Sequence, residues 1–327
     1  MALAENTGTR HLDRILALEA VRVTEAAAVG VFPLIGRGDE RAADAAAVEA
    51  MRMAFNRLPI EGTVVIGEGE RDEAPMLFIG EKVGAGGIKV DIALDPLEGT
   101  TLTAKALPNA LAVMAMAEAG SLLHAPDVYM DKIAIGPGYR EDTVDLDAEP
   151  GDNINSLAKA KGVKPSAIRA LILDRPRHEK IIAGVRKTGA AVELITDGDI
   201  AGVIATSNPT RWGIDIYLGQ GGAPEGVLAA AALRCVGGQL QTRLVFRKDE
   251  ERQRAEKLGV RDLTRKYSLT ELARGDVVFA ATGVTTGTML EGVRMEGGNI
   301  LTHSIVMRSA TKTVREIKMK HPLGDAD

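Results

Sequence analysis

The chain has a single cysteine, Cys235, so no intrachain disulfide can form and redox control through such a bond is excluded. Aromatic residues make up only 3% of its 327 positions. No apolar run approaches the roughly 20 residues that span a bilayer, and the opening MALAENTGTRHLDR has no apolar stretch of the kind a secretory signal carries. Basic charge is not in excess: the net charge of −5 provides no general positive field for nucleic acid. The five histidines (His11, His124, His178, His303 and His321) show no ligand spacing, which argues against histidine-rich zinc chemistry. These absences make a cytoplasmic protein with no nucleic-acid or membrane partner the expectation.

Glycine is abundant, with 36 residues gathered in short loops (GRGDE, GEGE, GAGG, GPG, GQGGAPEG, ATGVTTG) and not in one linker. Such loops between packed elements commonly hold ligands against backbone. An apolar stripe predicts a helix from Leu12 to about Val31, and an Ala-rich helix should run from about Ala42 to Leu58. TVVIGEG, Val90–Asp95 and NALAVMAMAEAG read as strands, whereas Pro75–Val83 is open between helix and strand. From about Asn155, strand and helix signals alternate, which argues an α/β second half. The C-terminal ILTHSIVMRSATKTVREIKMK reads as one long strand. A boundary in the polar stretch at about 138–153 divides the chain into 1–150 and 151–327.

Acids stand at several loop and strand ends. Asp44 opens the Ala-rich helix, Glu68 (beside Glu70) ends VVIGEGE, Asp95 and Glu98 end DIALDPLEG, and Glu225 starts a helix in GGAPEG. Taken singly, each reads most simply as a helix cap or a turn residue. Jointly they differ, because strands of an open α/β sheet present ligands at their carboxyl ends. Several uncompensated carboxylates in one site call for cations, and an all-oxygen set suits Mg2+ or Mn2+. Gly99-Thr100-Thr101 adds backbone amides able to hold a phosphate and a hydroxyl able to orient water. The combination describes metal-assisted hydrolysis of a phosphate ester.

DPLEGTT, preceded by VVIGEGERDEAPML, resembles the signature of lithium-sensitive, metal-dependent phosphatases of small metabolites. The ordered companions GRGDERAADAAAVEAMR, NALAVMAMAEAG, APDVYMDK, DRPRHEKII, TDGDIAG, GGAPEGVLAAAALRC and ATGVTTGTMLEGV are similar to the class II fructose-1,6-bisphosphatase family over about Leu12–His321. The resemblance implies a layered α/β/α/β/α sugar-phosphatase fold with two mixed-sheet subdomains, the N-terminal one carrying most of the metal acids. It also implies hydrolysis of the 1-phosphate of fructose 1,6-bisphosphate. Sedoheptulose 1,7-bisphosphate is the nearest alternative substrate; inositol phosphates and a non-catalytic phospho-sugar sensor are remoter readings. Carried over by the resemblance, the metal ligands are Asp44, Glu68, Asp95, Glu98 and Glu225, with Thr100, Glu68 and Asp72 serving catalysis. Substrate contacts fall on Glu98, Gly99, Thr100, Tyr129, Arg175, Pro176, Arg177, Asp197, Gly198, Asp199 and Gly222. A homo-oligomer, dimer or tetramer, is the family habit. One departure stands out: where the family commonly has Lys four residues before the first metal-binding acid, this chain has Glu40, with Arg41 next to it.

Overall fold

The computed structural model describes residues 16–69 and 75–322. Its first layer is two packed helices, α1 (Leu16–Val31) and α2 (Glu40–Phe55). Asp39 opens α2 by accepting a hydrogen bond from the Ala42 amide, so Asp44 lies one turn inside the helix and does not open it. Four strands follow: β1 (Ile60–Ile66), β2 (Lys82–Val83), β3 (Ile88–Glu98) and β4 (Leu111–Glu118), with the short helix α3 (Thr100–Ala104) between the last two. The open segment Pro75–Val83 is mostly turn and enters a strand only at Lys82–Val83.

The next strands build a second sheet: β5 (Tyr129–Ile135), β6 (Arg169–Leu173), β7 (Ala191–Ile195), β8 (Ile216–Gly222), β9 (Gln239–Val245) and β10 (Lys266–Ser268). Helices α4 (Pro150–Lys161), α5 (Glu179–Lys187), α6 (Asp199–Ala205), α7 (Pro209–Trp212), α8 (Ala223–Val236), α9 (Asp249–Lys257) and α10 (Leu269–Leu272) are interspersed. The chain then returns to the first sheet with β11 (Val277–Gly283), β12 (Arg294–Glu296), β13 (Asn299–Arg308) and β14 (Thr313–Pro322). The C-terminal apolar–polar alternation is therefore a hairpin, β13 and β14 pairing antiparallel along their length, and not one strand. Strand order is β12-β13-β11-β4-β3-β1-β2, with β14 on β13, in the first sheet and β10-β9-β5-β8-β6-β7 in the second. Both sheets mix parallel and antiparallel pairs. Sheet membership does not follow a cut at residue 150: β5 lies in the second sheet, and β11–β14 complete the first.

Side-chain alternation fixes the layering. In β4, Ala112, Met114 and Met116 join the core under α1 and α2, while Val113, Ala115 and Ala117 join the core on the other face. A strand buried on both faces reads as a continuous apolar run, which is why NALAVMAMAEAG carries no polar alternation. Helix α8 is apolar nearly all round and lies between the two sheets, with α6 beside it. On the far face of the second sheet, Ile133, Ile135 and Ile172 pack against Ile154, Leu157 and Val185 of α4 and α5. The result is the expected five-layer α/β/α/β/α order. Cys235 is buried in the central layer, where desolvation pushes its thiol to about 12; it is a packing residue. No helix among the described residues is long and apolar enough to cross a membrane.

Candidate active site

Strand β3 does not stop at Asp95. Its ladder with β4 continues to Glu98, but Asp95 faces Val113 while Glu98 faces Leu111, so one extra residue bulges out between them. Pro96 suits that irregularity because it has no amide to give to the ladder. The Asp95 carboxylate accepts the Leu97 amide at 3.0 Å, which turns the strand end locally. Gly99, at φ 92°, then reverses the chain into α3, a conformation most side chains resist. Turn formation and presentation of two acids are thus one structure.

One cavity of about 370 Å3 collects groups from five places in the chain. Asp44 comes from α2, Glu68 from the loop after β1, Asp95 and Glu98 from β3, Asp197 and Asp199 from the start of α6, and Glu225 from the first turn of α8. Gly99 and Thr100 line the same space, as does Asp127, an acid the sequence reading did not single out. Two glycines explain how the second sheet approaches so closely. A Cβ on Gly221 would stand 2.0 Å from Asp199 Oδ2, and one on Gly222 would stand 1.9 Å from Glu225 Oε2. Gly198 sits at the N-terminus of α6 with φ 88°.

The electrostatics follow from burial and like charge. Burial, then the neighbouring Asp44, raises Glu68 to about 7. Asp95 is held well above the usual range by burial, then by Glu68 and Glu225, with the Leu97 amide opposing. Glu98 is raised by burial, then by Asp199 and Asp95; Glu225 by burial, then by Asp199, with Lys132 opposing. Burial alone raises Asp44, and burial above all raises Asp197. Such a set favours protons or cations.

Lys132 is the internal cation. Its ammonium is fully buried on the inner face of β5 and lies 2.5 Å from Asp199 Oδ2. The sequence reading missed it together with strand β5; the available signal was a lone Lys inside the apolar YMDKIAI. Glu98 Oε1 accepts the Ile200 amide at 3.2 Å and so ties the first sheet to the start of α6. Glu98 Oε2 and Glu225 Oε2 are buried without a hydrogen-bond partner. Two orphaned carboxylate oxygens within an all-oxygen donor set fit a hard divalent cation. Among the described residues, no three acidic, His or Cys side chains already stand as a coordinating group.

The remaining predicted contacts gather beside this cavity. Tyr129 begins β5, opposite Gly222 of β8 and Val245 of β9. Pro176 opens a single 3-10 turn after β6 that presents Arg177 between Arg175 and His178. Arg177 lies over the Tyr129 ring, 5.0 Å from its centroid. Asp72 lies outside the described residues, as does Glu70. Glu40 and Arg41 are exposed in the first turn of α2 and do not line the cavity; Glu40 there suits the helix dipole.

The family model for bacterial fructose-1,6-bisphosphatase, glpX-encoded, matches residues 14–321. The chain belongs to that family. It is 44% identical over 328 aligned positions to fructose-1,6-bisphosphatase 1 class 2 of Escherichia coli K12, covering 96% of this chain and 97% of the relative. The class 2 fructose-1,6-bisphosphatase of Shigella flexneri is similar to the same degree.

Proposed function

We propose that this chain hydrolyses the 1-phosphate of fructose 1,6-bisphosphate, giving fructose 6-phosphate and phosphate, with Mg2+ or Mn2+ as its cation. The observation that carries this reading is the convergence of acids from five places in the chain on one cavity beside Thr100, in a chain of this family. Asp44, Glu68, Asp95, Glu98 and Glu225 are the residues that would hold the cation, which when bound lowers the pKa of water and offsets charge on the phosphate. Thr100 orients the attacking water, and Glu68, on the same cavity, takes its proton. Asp199, ion-paired with Lys132, accepts a sugar hydroxyl, and Asp197, which lines the same cavity, does likewise. Arg175 and Arg177 hold the phosphate that is not cleaved, since a guanidinium fork matches its oxygens.

Phosphate release by metal-stripped protein, with Mg2+ or Mn2+ restored, tests the reading. Fructose 1,6-bisphosphate should lead sedoheptulose 1,7-bisphosphate and inositol 1-phosphate in kcat/KM. Turnover led by another ester would overturn the substrate assignment, and no metal-restored turnover by folded protein would overturn the reaction. Thr100→Ala should lower kcat by about 10^2 or more with little change in KM, because general acid–base help acts mainly in the transition state. A wild-type kcat in that variant would remove Thr100 from the chemistry.

A further inference from the structure

Gln220 is bonded through every polar group it has. Its amide donates to His178 Nε2 at 2.9 Å, and its carbonyl accepts Arg177 Nε and Nη2 at 3.2 and 2.7 Å. Its side-chain Oε1 accepts Arg247 Nη2 at 3.1 Å, and its Nε2 donates to Asp131 Oδ1 at 2.9 Å. His178 is itself fixed: it is buried, and its Nδ1 donates to the Leu173 carbonyl at 2.7 Å, which leaves Nε2 as the acceptor for Gln220. One residue of β8 thus joins the end of β6, the neighbouring strand β5 and the segment after β9.

The arginines it holds both lie against one ring. Arg247 stacks on Tyr129 with its guanidinium 3.5 Å from the ring centroid, and Arg177 stands 5.0 Å away. Strand register produces this: Tyr129 pairs with Val245, so the chain leaving β9 carries Arg247, two residues on, over the same ring. The Arg247 amide donates to Glu251 Oε2 at 2.6 Å, anchoring its backbone to the first turn of α9. None of Arg175, Arg177 and Arg247 pairs with a carboxylate among the described residues. Burial first, then the charges of Arg247 and Arg175, makes Arg177 hold its proton less firmly, so the guanidiniums repel one another. An anion placed among them removes that repulsion. Two residues further along β8, Gly222 abuts Glu225, so one short stretch of extended chain runs from the arginines to the acid cavity.

We infer that Arg247 is a third guanidinium for the retained phosphate of the sugar bisphosphate, and that Gln220, braced by His178, is the positioning residue that holds Arg247 and Arg177 against the Tyr129 ring. The inference deepens the proposed function and rests on its substrate class. Arg247 is exposed, so its replacement leaves the core intact.

The test compares fructose 1,6-bisphosphate with fructose 1-phosphate, which lacks the retained phosphate. Arg247→Met should lower kcat/KM for the bisphosphate at least about tenfold more than for the monophosphate, the loss appearing in KM, as expected for one charge-assisted phosphate contact. Gln220→Leu should show the same selective loss, to a smaller degree, because the main-chain carbonyl that holds Arg177 remains. Arg247→Lys should recover part of it, since charge is kept without the fork. Equal losses on both esters, or none on the bisphosphate, would overturn the role of Arg247. A wild-type protein that does not hydrolyse the bisphosphate overturns the proposed function instead. Calorimetric binding of fructose 6-phosphate then decides the clamp: Arg247→Met should weaken it about tenfold or more, and equal affinities refute the inference.

Discussion

Asp95→Asn should abolish most turnover and at the same time make the metal-free protein more stable. The loss is expected at about a thousandfold in kcat, since several kcal/mol of charge stabilisation disappear and each 1.4 kcal/mol is about tenfold. Asn keeps the shape and can still accept the Leu97 amide, so the bulge at the end of β3 survives. The gain in stability has a separate cause. Asp95 is pushed up by burial and by the charges of Glu68, Glu225 and Asp44, so removing its charge relieves both the cost of burial and the repulsion from those three acids. A gain of about 1–2 kcal/mol at pH 8 is the scale expected when a functional strain is removed. Thermal unfolding of metal-stripped wild type and variant at pH 8, beside steady-state kinetics with metal restored, reads both effects. A variant less stable than wild type would mean that Asp95 is a structural acid, and one that keeps its kcat would take it out of the site.

The second large effect is the pH dependence of the metal-free protein. Acids whose folded pKa lies above the unfolded value bind protons more tightly when folded. Their contribution is fully present below about 4.5 and is lost as pH rises through the folded pKa. Glu68 loses its share between about pH 4.5 and its folded value of about 7, and Asp95 and Glu98, raised well above the usual range, carry the same direction on to higher pH. Other groups work in different windows. Glu291, held at about 2 by its Lys318 and Arg294 partners, matters only in acid, and the buried His178 and His303 favour the folded state above 6.5. Metal-free stability should therefore fall between pH 6.5 and 8, by up to about 1.4 kcal/mol per pH unit for each acid still protonated in the fold. Saturating Mg2+ or Mn2+ should flatten the slope, because cation binding requires the acids deprotonated. Calorimetric Tm values across this range, with and without metal, decide it. A metal-free Tm that is flat or rises with pH would refute the repulsive cluster.

Several site residues were readable one by one because their signal is local. DPLEGTT carries acid, proline, glycine and threonine in a fixed order, and GGAPEG places an acid in the first turn of a helix. Arg175-Pro176-Arg177 follows an apolar strand, and a proline there starts a turn. Lys132 and Arg247 were not readable in this way. Lys132 gains its meaning from Asp199, 67 residues away in sequence. Arg247 looks like a solvated residue before a charged helix until β9 is paired with β5, which lays it on Tyr129. Gln220 has no signal at all in a Gly-rich string, because its bonds reach three distant segments.

The same division holds for the fold. Sequence by itself determined the helices under the first sheet, the buried strand β4, the strand–helix alternation of the second half and the Gly-rich loops between packed elements. These depend on periodicity and on residues near one another in the chain. Tertiary structure decided that β5 joins the second sheet and that β11–β14 return to the first. It decided that the last apolar–polar stretch folds back as a hairpin through Ser309–Lys312, and that acids from α2, the loop after β1, β3, α6 and α8 share one cavity. The physical reason is range. A helix stripe or a turn is set by neighbours within a few residues, whereas strand partners, and the repulsion among carboxylates that they bring together, exist only once distant segments are packed.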